Sequence, residues 1–229
     1  MEELFNYIRK FGILNAQDEL LIAKGIQEIT VQKGDPFIEA GKVSQRIAFV
    51  KEGVFRSLYY NRQGDDFTRY FIYEGRFIGD FQGFTDQLPA HEYIEAITDA
   101  VLLVIDLNTF KILEEKITIW PVLFARIHGF VAENKLKVAS IMLNQDAKSR
   151  YIHFLNHYPG LANRVRNLCW RLTWDYPSSL SRIRRNICEQ YAHKYTIRTG
   201  FSPFLLFQKI PLALAETYQS NNLNGILAS

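Results

Sequence analysis

The sequence predicts an α+β protein with a β-rich first half, a long central helix and a basic helical segment near the C-terminus. Three observations support this fold class. Short apolar or alternating runs follow one another from about residue 28 to residue 107. Apolar residues between 119 and 145 then recur at helical spacing. Positive charge is concentrated after residue 146.

The first part of the chain predicts short helices followed by strands. Residues 2–25 carry apolar side chains at helical spacing, with Gly25 as the expected stop. Turn-forming sequences such as Lys33-Gly34-Asp35-Pro36 then separate short apolar runs. We expect strands at 29–31, 47–50, 54–60, 68–72, 93–96 and 101–105. Many short strands at close spacing predict a sandwich, barrel or jelly roll.

A long helix is predicted after this region. Residues 109–115 indicate a short helix, and residues 119–145 a helix of roughly seven turns. Its apolar stripe, which Asn134 and Lys135 interrupt, consists of Leu123, Phe124, Ile127, Val131, Val138, Ile141 and Met142. Helices much longer than the usual ~11–12 residues often pack against a copy of themselves. We therefore expect a dimer helix; the alternative is a helix folded back on the β domain.

The net charge of +3 hides an asymmetry. Residues 1–146 hold 16 Lys and Arg against 21 Asp and Glu, whereas residues 147–200 hold 10 against 2. An acidic N-terminal part and a basic C-terminal part indicate a sensing part and a polyanion-binding part, although basic patches are common on soluble proteins. No apolar run approaches the ~20 residues of a membrane span, and no signal peptide is evident. Since Cys169 and Cys188 form no C-x-x-C motif, we expect a cytoplasmic protein without a membrane partner.

The densest pattern lies at residues 177–185, Pro-Ser-Ser-Leu-Ser-Arg-Ile-Arg-Arg. Pro177 suits a first helical turn. Apolar residues Leu180, Ile183 and Ile187 share one face, which leaves hydroxyls and guanidinium groups for other faces. Arginine can bind guanine with two hydrogen bonds, and serine can reach base edges or phosphates. The DNA-binding residues predicted here are Ser178, Ser179, Ser181, Arg182, Arg184 and Arg185; taken alone, the segment also fits a solvated basic helix.

Three stretches resemble the superfamily of the cyclic AMP receptor protein and the FNR regulators, in particular its Bacteroidetes-type Crp/Fnr members. They are residues 47–56 (IAFVKEGVFR), residues 147–159, which begin AKSRY, and residues 178–185. The resemblance covers roughly residues 1–165 and 177–187. It implies an N-terminal β-roll (a double-stranded β-helix like a cyclic-nucleotide-binding domain), a dimerisation helix and a C-terminal winged helix-turn-helix-like domain. The implied domains are a sensor roll at 1–117, the dimer helix at 118–146, a DNA-binding domain at 147–190 and a tail of unknown role at 191–229.

The resemblance also implies where a nucleotide would bind. Relatives that bind a cyclic nucleotide use a Gly-Glu pair and an Arg-Ser pair, whose arginine neutralises the phosphate. Here the first pair is Gly79-Asp80, and the second falls on Ala90-His91. Alanine cannot compensate a buried phosphate charge, and His91 would have to supply the donor. We therefore expect no cyclic AMP binding and no cofactor; another small molecule, or none, would occupy the roll.

Other chemistries find little support in the sequence. An FNR-type iron–sulfur cluster needs about four cysteine ligands, which the chain does not have. His153 and His157 could share a metal on one helix face, but no third ligand is evident. The motifs of serine hydrolases, P-loop proteins and zincins are absent, so we expect no enzyme. The missing histidine pattern also disfavours a cupin-like metal enzyme.

The sequence departs from the superfamily between Val165 and Pro177. Residues 166–176, RNLCWRLTWDY, contain two tryptophans and lack the turn glycine of the family's first motif helix. One inserted base before the Arg166 codon would allow the reading Pro-Gln-x-x-Leu-Ala-Ala-Tyr-Leu-Gly-Leu-Pro. One base removed near Pro177 restores the frame. We hypothesise a compensated double frameshift here, and the tail after residue 188 is either genuine or frameshifted.

These observations predict a homodimeric transcription regulator that binds DNA. RNA polymerase and an unidentified small-molecule effector are further expected partners. The alternative is a sensor or interaction protein that keeps the roll and has lost DNA binding through residues 166–176.

Overall fold

A computed structural model of the chain describes residues 1–158 and 160–165. The chain divides into two compact units, Met1–Ala139 and Ser140–Ser229. The described helices of the first unit are α1 (Glu2–Ile8), α2 (Ala16–Gly25), α3 (Phe81–Asp86), α4 (Leu107–Lys116) and most of α5 (Trp120–Asn144). Its strands are β1 (Gln27–Val31), β2 (Pro36–Ile38), β3 (Arg46–Glu52), β4 (Val54–Tyr60), β5 (Asp66–Tyr73), β6 (Phe77–Ile78), β7 (Tyr93–Ala96) and β8 (Ala100–Asp106).

The strands form two four-stranded sheets, in the orders β1-β8-β3-β6 and β2-β7-β4-β5. All the pairings in both sheets are antiparallel. The predicted α+β class with an N-terminal β-roll is therefore confirmed. Strands 54–60 and 93–96 were predicted with the bounds of β4 and β7. Strands β2 and β6 were not predicted: both are short edge strands, and β2 begins at Pro36, a residue that usually marks a turn but is tolerated at a sheet edge.

Helices α1, α4 and α5 enclose an apolar core against the sheet that contains β3, β6 and β8. Aromatic rings dominate it: Tyr7 contacts Phe49 and Phe77 edge-on at centroid distances of 5.7 and 5.5 Å. Phe110 of α4 meets Phe124 of α5 at 4.7 Å. Such pairs contribute about 0.5–1.5 kcal/mol each beyond the area they bury. The core therefore fixes the first half of α5 on the roll.

The inward face of α5 corrects one reading of the sequence. Leu123 and Ile127 are 1% and 5% exposed, and Phe124 and Val131 pack against the same core. The apolar stripe that suggested a dimer helix is thus covered, over these four residues, by the chain's own domain. The outer face of α5 instead exposes Val122 and Leu136.

In the second unit, α6 (Ala147–His157) and α7 (Leu161–Arg164) are described. The side chain of Asp146 caps α6 by accepting a 2.7 Å hydrogen bond from the Ser149 N–H. Gly160, with φ +77°, precedes α7. The predicted recognition helix, the altered segment 166–176 and the tail lie outside the described residues.

Candidate functional site

The residues at which the resemblance places a nucleotide, Gly79-Asp80 and Ala90-His91, lie in the connection between β6 and β7. Gly79 has φ +152°, and a Cβ at this position would lie 3.0 Å from Ile47 Cγ2, so glycine is required there. Asp80 caps the short helix α3, and its carboxylate accepts a 3.0 Å hydrogen bond from the Gly83 N–H. The carboxylate of the Gly79-Asp80 pair thus stabilises the local turn.

Ala90 and His91 follow α3, in the part of the connection that leads into β7. Ala90 is buried. Its N–H donates a 3.0 Å hydrogen bond to the Lys42 carbonyl, and its carbonyl accepts a 2.8 Å hydrogen bond from the Gly41 N–H. His91 is exposed. The buried position therefore offers only a methyl group, and the imidazole is in contact with solvent.

A buried carboxylate, Glu92, comes immediately after these two residues. Only 7% of Glu92 is exposed. It accepts a short hydrogen bond from the Ser57 hydroxyl and one of 2.7 Å from the Tyr70 hydroxyl. Its cationic partners are Lys135 Nζ at 3.0 Å and Arg69 Nη1 at 3.3 Å. We call Ser57, Arg69, Tyr70, Glu92 and Lys135 the Glu92 cluster.

Charge neutralisation inside the cluster keeps Glu92 ionised. Burial alone raises its pKa, but the Lys135 charge and the hydrogen bonds from Ser57, Tyr70 and Lys135 outweigh burial and leave the pKa lowered. The pKa of the Tyr70 hydroxyl is shifted in the opposite direction. Burial is the largest cause and the negative charge of Glu92 the next, and together they raise this pKa well above the usual value. At neutral pH the cluster therefore holds a carboxylate and a neutral phenol.

Lys135 reaches the cluster from α5. Its ammonium lies 5.1 Å from the centroid of the Tyr70 ring, within the range of a cation–π contact. The Lys135 side chain is 32% exposed, whereas that of Arg69 is 50% exposed. The shorter and better buried ion pair of Glu92 is thus the one that comes from the long helix.

A second charged group, around Arg56, lies on the other face of the same sheet, because side chains alternate along β4. Arg56 is 7% exposed. Its guanidinium bonds Glu95 at 2.7 and 2.8 Å, Asp66 at 2.5 Å and Thr68 at 3.4 Å. Two carboxylates neutralise this arginine, so its charge is already compensated within the roll.

Sequence reasoning missed the Glu92 cluster although two signals for it were visible. Glu92 is in phase with the apolar residues Ile94 and Ala96, so period-two alternation places its side chain on their buried face. Lys135 lies four residues after Val131 and three before Val138, and thus falls within the inward stripe of α5. A carboxylate and a cation that both interrupt buried patterns are candidates for a buried ion pair.

The remaining predicted site residues fall elsewhere. All six predicted DNA-binding residues lie outside the described residues. His153 and His157 stack on α6 with ring centroids 5.3 Å apart. Within residues 1–158 and 160–165, no three His, Cys, Asp or Glu side chains are grouped to hold a metal ion. In the same residues, no helix combines the length and apolar character that a membrane span requires.

Comparison with known proteins places this roll in a family. The cyclic nucleotide-binding domain family matches residues 28–116. No curated protein matches the chain. Among solved structures, the c-di-GMP-responsive global regulator CLP of Xanthomonas campestris is 13% identical, covers 78% of this chain and 94% of its own, and has a TM-score of 0.60. FixK2 from Bradyrhizobium japonicum is 16% identical over 73% of this chain and 86% of its own, with a TM-score of 0.58.

A Crp/Fnr-family protein from Eubacterium rectale is also similar: 15% identity, 77% of this chain, 85% of its own and a TM-score of 0.54. At these identities the likeness concerns the fold. The chain thus contains a cyclic nucleotide-binding domain at residues 28–116 and has the fold of the Crp/Fnr regulators, as its resemblance to that superfamily predicts.

Proposed function

We propose that the chain is a homodimeric, DNA-binding transcription regulator of the Crp/Fnr type that does not use cyclic AMP. The observation that carries this proposal is the passage of the roll into α5, a helix of 25 residues. A unit of opposite charge, rich in Lys and Arg, follows this helix. A sensing roll joined by a long helix to a basic unit is the arrangement that a ligand-responsive or constitutive DNA-binding dimer needs.

The Glu92 cluster supports the absence of cyclic AMP. A cyclic phosphate needs a cation in the roll, and Ala90 offers none. Glu92, two residues after Ala90, adds a buried negative charge that would repel the phosphate. The cations Lys135 and Arg56 are already paired with carboxylates of the chain.

The outer face of α5 supports a second copy of the chain as the dimer partner. Six small or apolar residues with exposed or half-exposed side chains follow a heptad spacing: Val122, Ala125, Gly129, Ala132, Leu136 and Ala139. We call these residues the outer stripe. Heptad spacing is the pattern by which a helix pairs with its own copy, and small residues allow the two backbones to approach closely. A Cβ at Gly129 would contact nothing within 4 Å, so this part of the stripe is open.

In the proposed mechanism, the two α5 helices set the distance between the two recognition helices. A signal in the roll would change how these helices pack. The two DNA-binding domains would then fit, or fail to fit, half-sites about one DNA turn apart. RNA polymerase and a small-molecule effector remain predicted partners.

The alternative is a sensor or interaction protein that has kept the roll and lost DNA binding. The departure of residues 166–176 from the family pattern favours it, because these residues would form the helix that supports the recognition helix. Both proposals share the same roll, so only a measurement of DNA binding separates them.

The salt dependence of DNA binding tests the proposed function. The affinity of the purified chain for duplex DNA is measured between about 50 and 200 mM salt. Each neutralised phosphate lowers the slope of log K against log salt concentration by about 0.9. We expect a clearly negative slope that flattens when Arg182, Arg184 and Arg185 are replaced by Ala together. No binding at low salt would favour the alternative.

A further inference from the structure

The Glu92 cluster has the composition of a site for an ammonium group. Its centre is a carboxylate that is 7% exposed, and two hydroxyl groups, from Ser57 and Tyr70, hold the carboxylate in place. A buried carboxylate needs a positive partner to stay ionised, and hydroxyl groups alone do not supply one. The chemistry of the cluster thus selects cations, the opposite of a phosphate-binding site.

The present occupant of this site is a side chain of α5. Lys135 places its ammonium 3.0 Å from Glu92 Oε1 and 5.1 Å from the Tyr70 ring centroid. An ammonium that donates to a carboxylate and lies near an aromatic ring is bound as a small primary amine would be. The other cation, Arg69, is half exposed and lies farther away, at 3.3 Å, so it is the weaker partner.

We propose that the roll contains a binding site for a primary ammonium group, formed by Ser57, Tyr70 and Glu92, and that Lys135 occupies it as a tethered ligand. In this way α5 itself supplies the ligand that holds it to the roll. The inference goes beyond the proposed function and does not require DNA binding, so each can fail without the other. It also names a chemical class for an external effector: a small primary amine that competes with Lys135.

Chemical rescue of a lysine variant tests the proposal. Lys135→Ala removes three methylene groups and the ammonium, and the n-propylammonium ion has the same composition. We expect the melting temperature of the full chain to fall by about 5 °C in Lys135→Ala, since an ion pair of a buried carboxylate is lost. Propylammonium chloride at tens of millimolar should restore at least half of this loss.

Three controls isolate the site. Lys137→Ala removes a lysine of the same helix whose side chain is 64% exposed and pairs with Glu133, and it should change the melting temperature by less than 1 °C. Tetramethylammonium chloride has the same charge but no N–H donor and should not rescue. In Glu92→Gln, the Lys135→Ala change should cost little, and propylammonium should have no effect.

Hydrogen exchange gives a second readout, since amides near residue 135 of α5 should lose protection in Lys135→Ala and regain it with propylammonium. The proposal is overturned if Lys135→Ala is as stable as the wild type, or if both ammonium salts stabilise it equally. Rescue that persists in Glu92→Gln would also overturn it. If Lys135→Ala does not fold, Lys135→Ala/Glu92→Gln should fold, because neutral Gln needs no cation; failure of this double variant would equally refute the proposal.

Discussion

At the scale of single residues, we propose that positions 90–92 decide which ligands the roll can accept. Ala90 removes the cation that a cyclic phosphate needs, and Glu92 adds a buried negative charge. Ala90 can be identified from the sequence because the resemblance aligns it with the phosphate-binding arginine of the relatives. The partners of Glu92 cannot be identified in this way, since they come from β4, β5 and α5, between 22 and 43 residues away along the chain.

Calorimetry checks the consequence for cyclic AMP. Titration of cyclic AMP into the purified chain is expected to give no measurable binding, because the phosphate would meet no free cation and one buried carboxylate. A melting curve on the same sample shows that the roll is folded. A micromolar or tighter dissociation constant, about −8 kcal/mol or better, would contradict this prediction.

The arginines of the predicted recognition helix should differ in their effects on DNA binding. Arg182→Ala is expected to cost ~1–3 kcal/mol on a specific site and to relax specificity at one base pair. Arg184→Ala should weaken binding to all sequences alike and flatten the salt slope, because we expect this residue to contact phosphate. Competition assays with single-base variants of a bound site separate the two effects; an identical pattern for both variants would refute the assignment.

At the scale of elements, α5 shows how periodicity can identify a helix and still mislead about its partner. The spacing of apolar residues predicted the helix to within a residue at each end. The same stripe predicts a dimer face, but Ile127 and Val131 pack against the roll. The apolar face of such a helix packs against its own domain, and this face gives a stronger periodic signal in the sequence than the face of small residues does. The small residues Ala125, Gly129 and Ala132 contribute little to an apolar count, which is why the outer stripe was overlooked.

Substitutions on the two faces of α5 should therefore have different effects. Leu136→Glu, on the outer stripe, is expected to weaken dimerisation by about 100-fold, or roughly 1.4 kcal/mol per subunit, while the β-sheet signal in circular dichroism is kept. Ile127→Glu buries an unpaired charge and should unfold the roll instead. Lys137→Glu, next to the outer stripe, serves as the matched control and should leave the dimer intact. Sedimentation of all three variants checks this prediction; a wild-type chain that is monomeric at high concentration would rule it out.

We expect the altered segment at 166–176 to limit DNA affinity. In the proposed function this segment supports the predicted recognition helix, and its two tryptophans and missing turn glycine suit that role poorly. A chain with the segment restored to Pro-Gln-x-x-Leu-Ala-Ala-Tyr-Leu-Gly-Leu-Pro should bind DNA at least ~10-fold more tightly, about 1.4 kcal/mol. Equal affinity of the two versions would refute the structural argument. Resequencing tests its origin, because the displaced frame needs a CGN codon at Arg166.

At the scale of the whole molecule, the sequence predicts the order of the parts better than the contacts between them. Alternating strands, punctuating turns and one long periodic helix identify the roll and α5, because each signal is local. Local patterns mark Glu92 and Lys135 each as an interruption of a buried face, but they do not show that these two residues, 43 positions apart, pair with each other. The charge asymmetry between the two units remains the main physical reason to expect DNA binding.

Genomic footprinting of the purified chain tests the central claim most directly, namely that this roll protein is a DNA-binding dimer that works without cyclic AMP. We predict discrete protected sites made of two half-sites about one DNA turn apart. These sites should be the same with and without cyclic AMP, and they should fill at lower protein concentration for the chain with the restored segment. The absence of any discrete site for the chain at low salt, or sites that arise only when cyclic AMP is added, would contradict it.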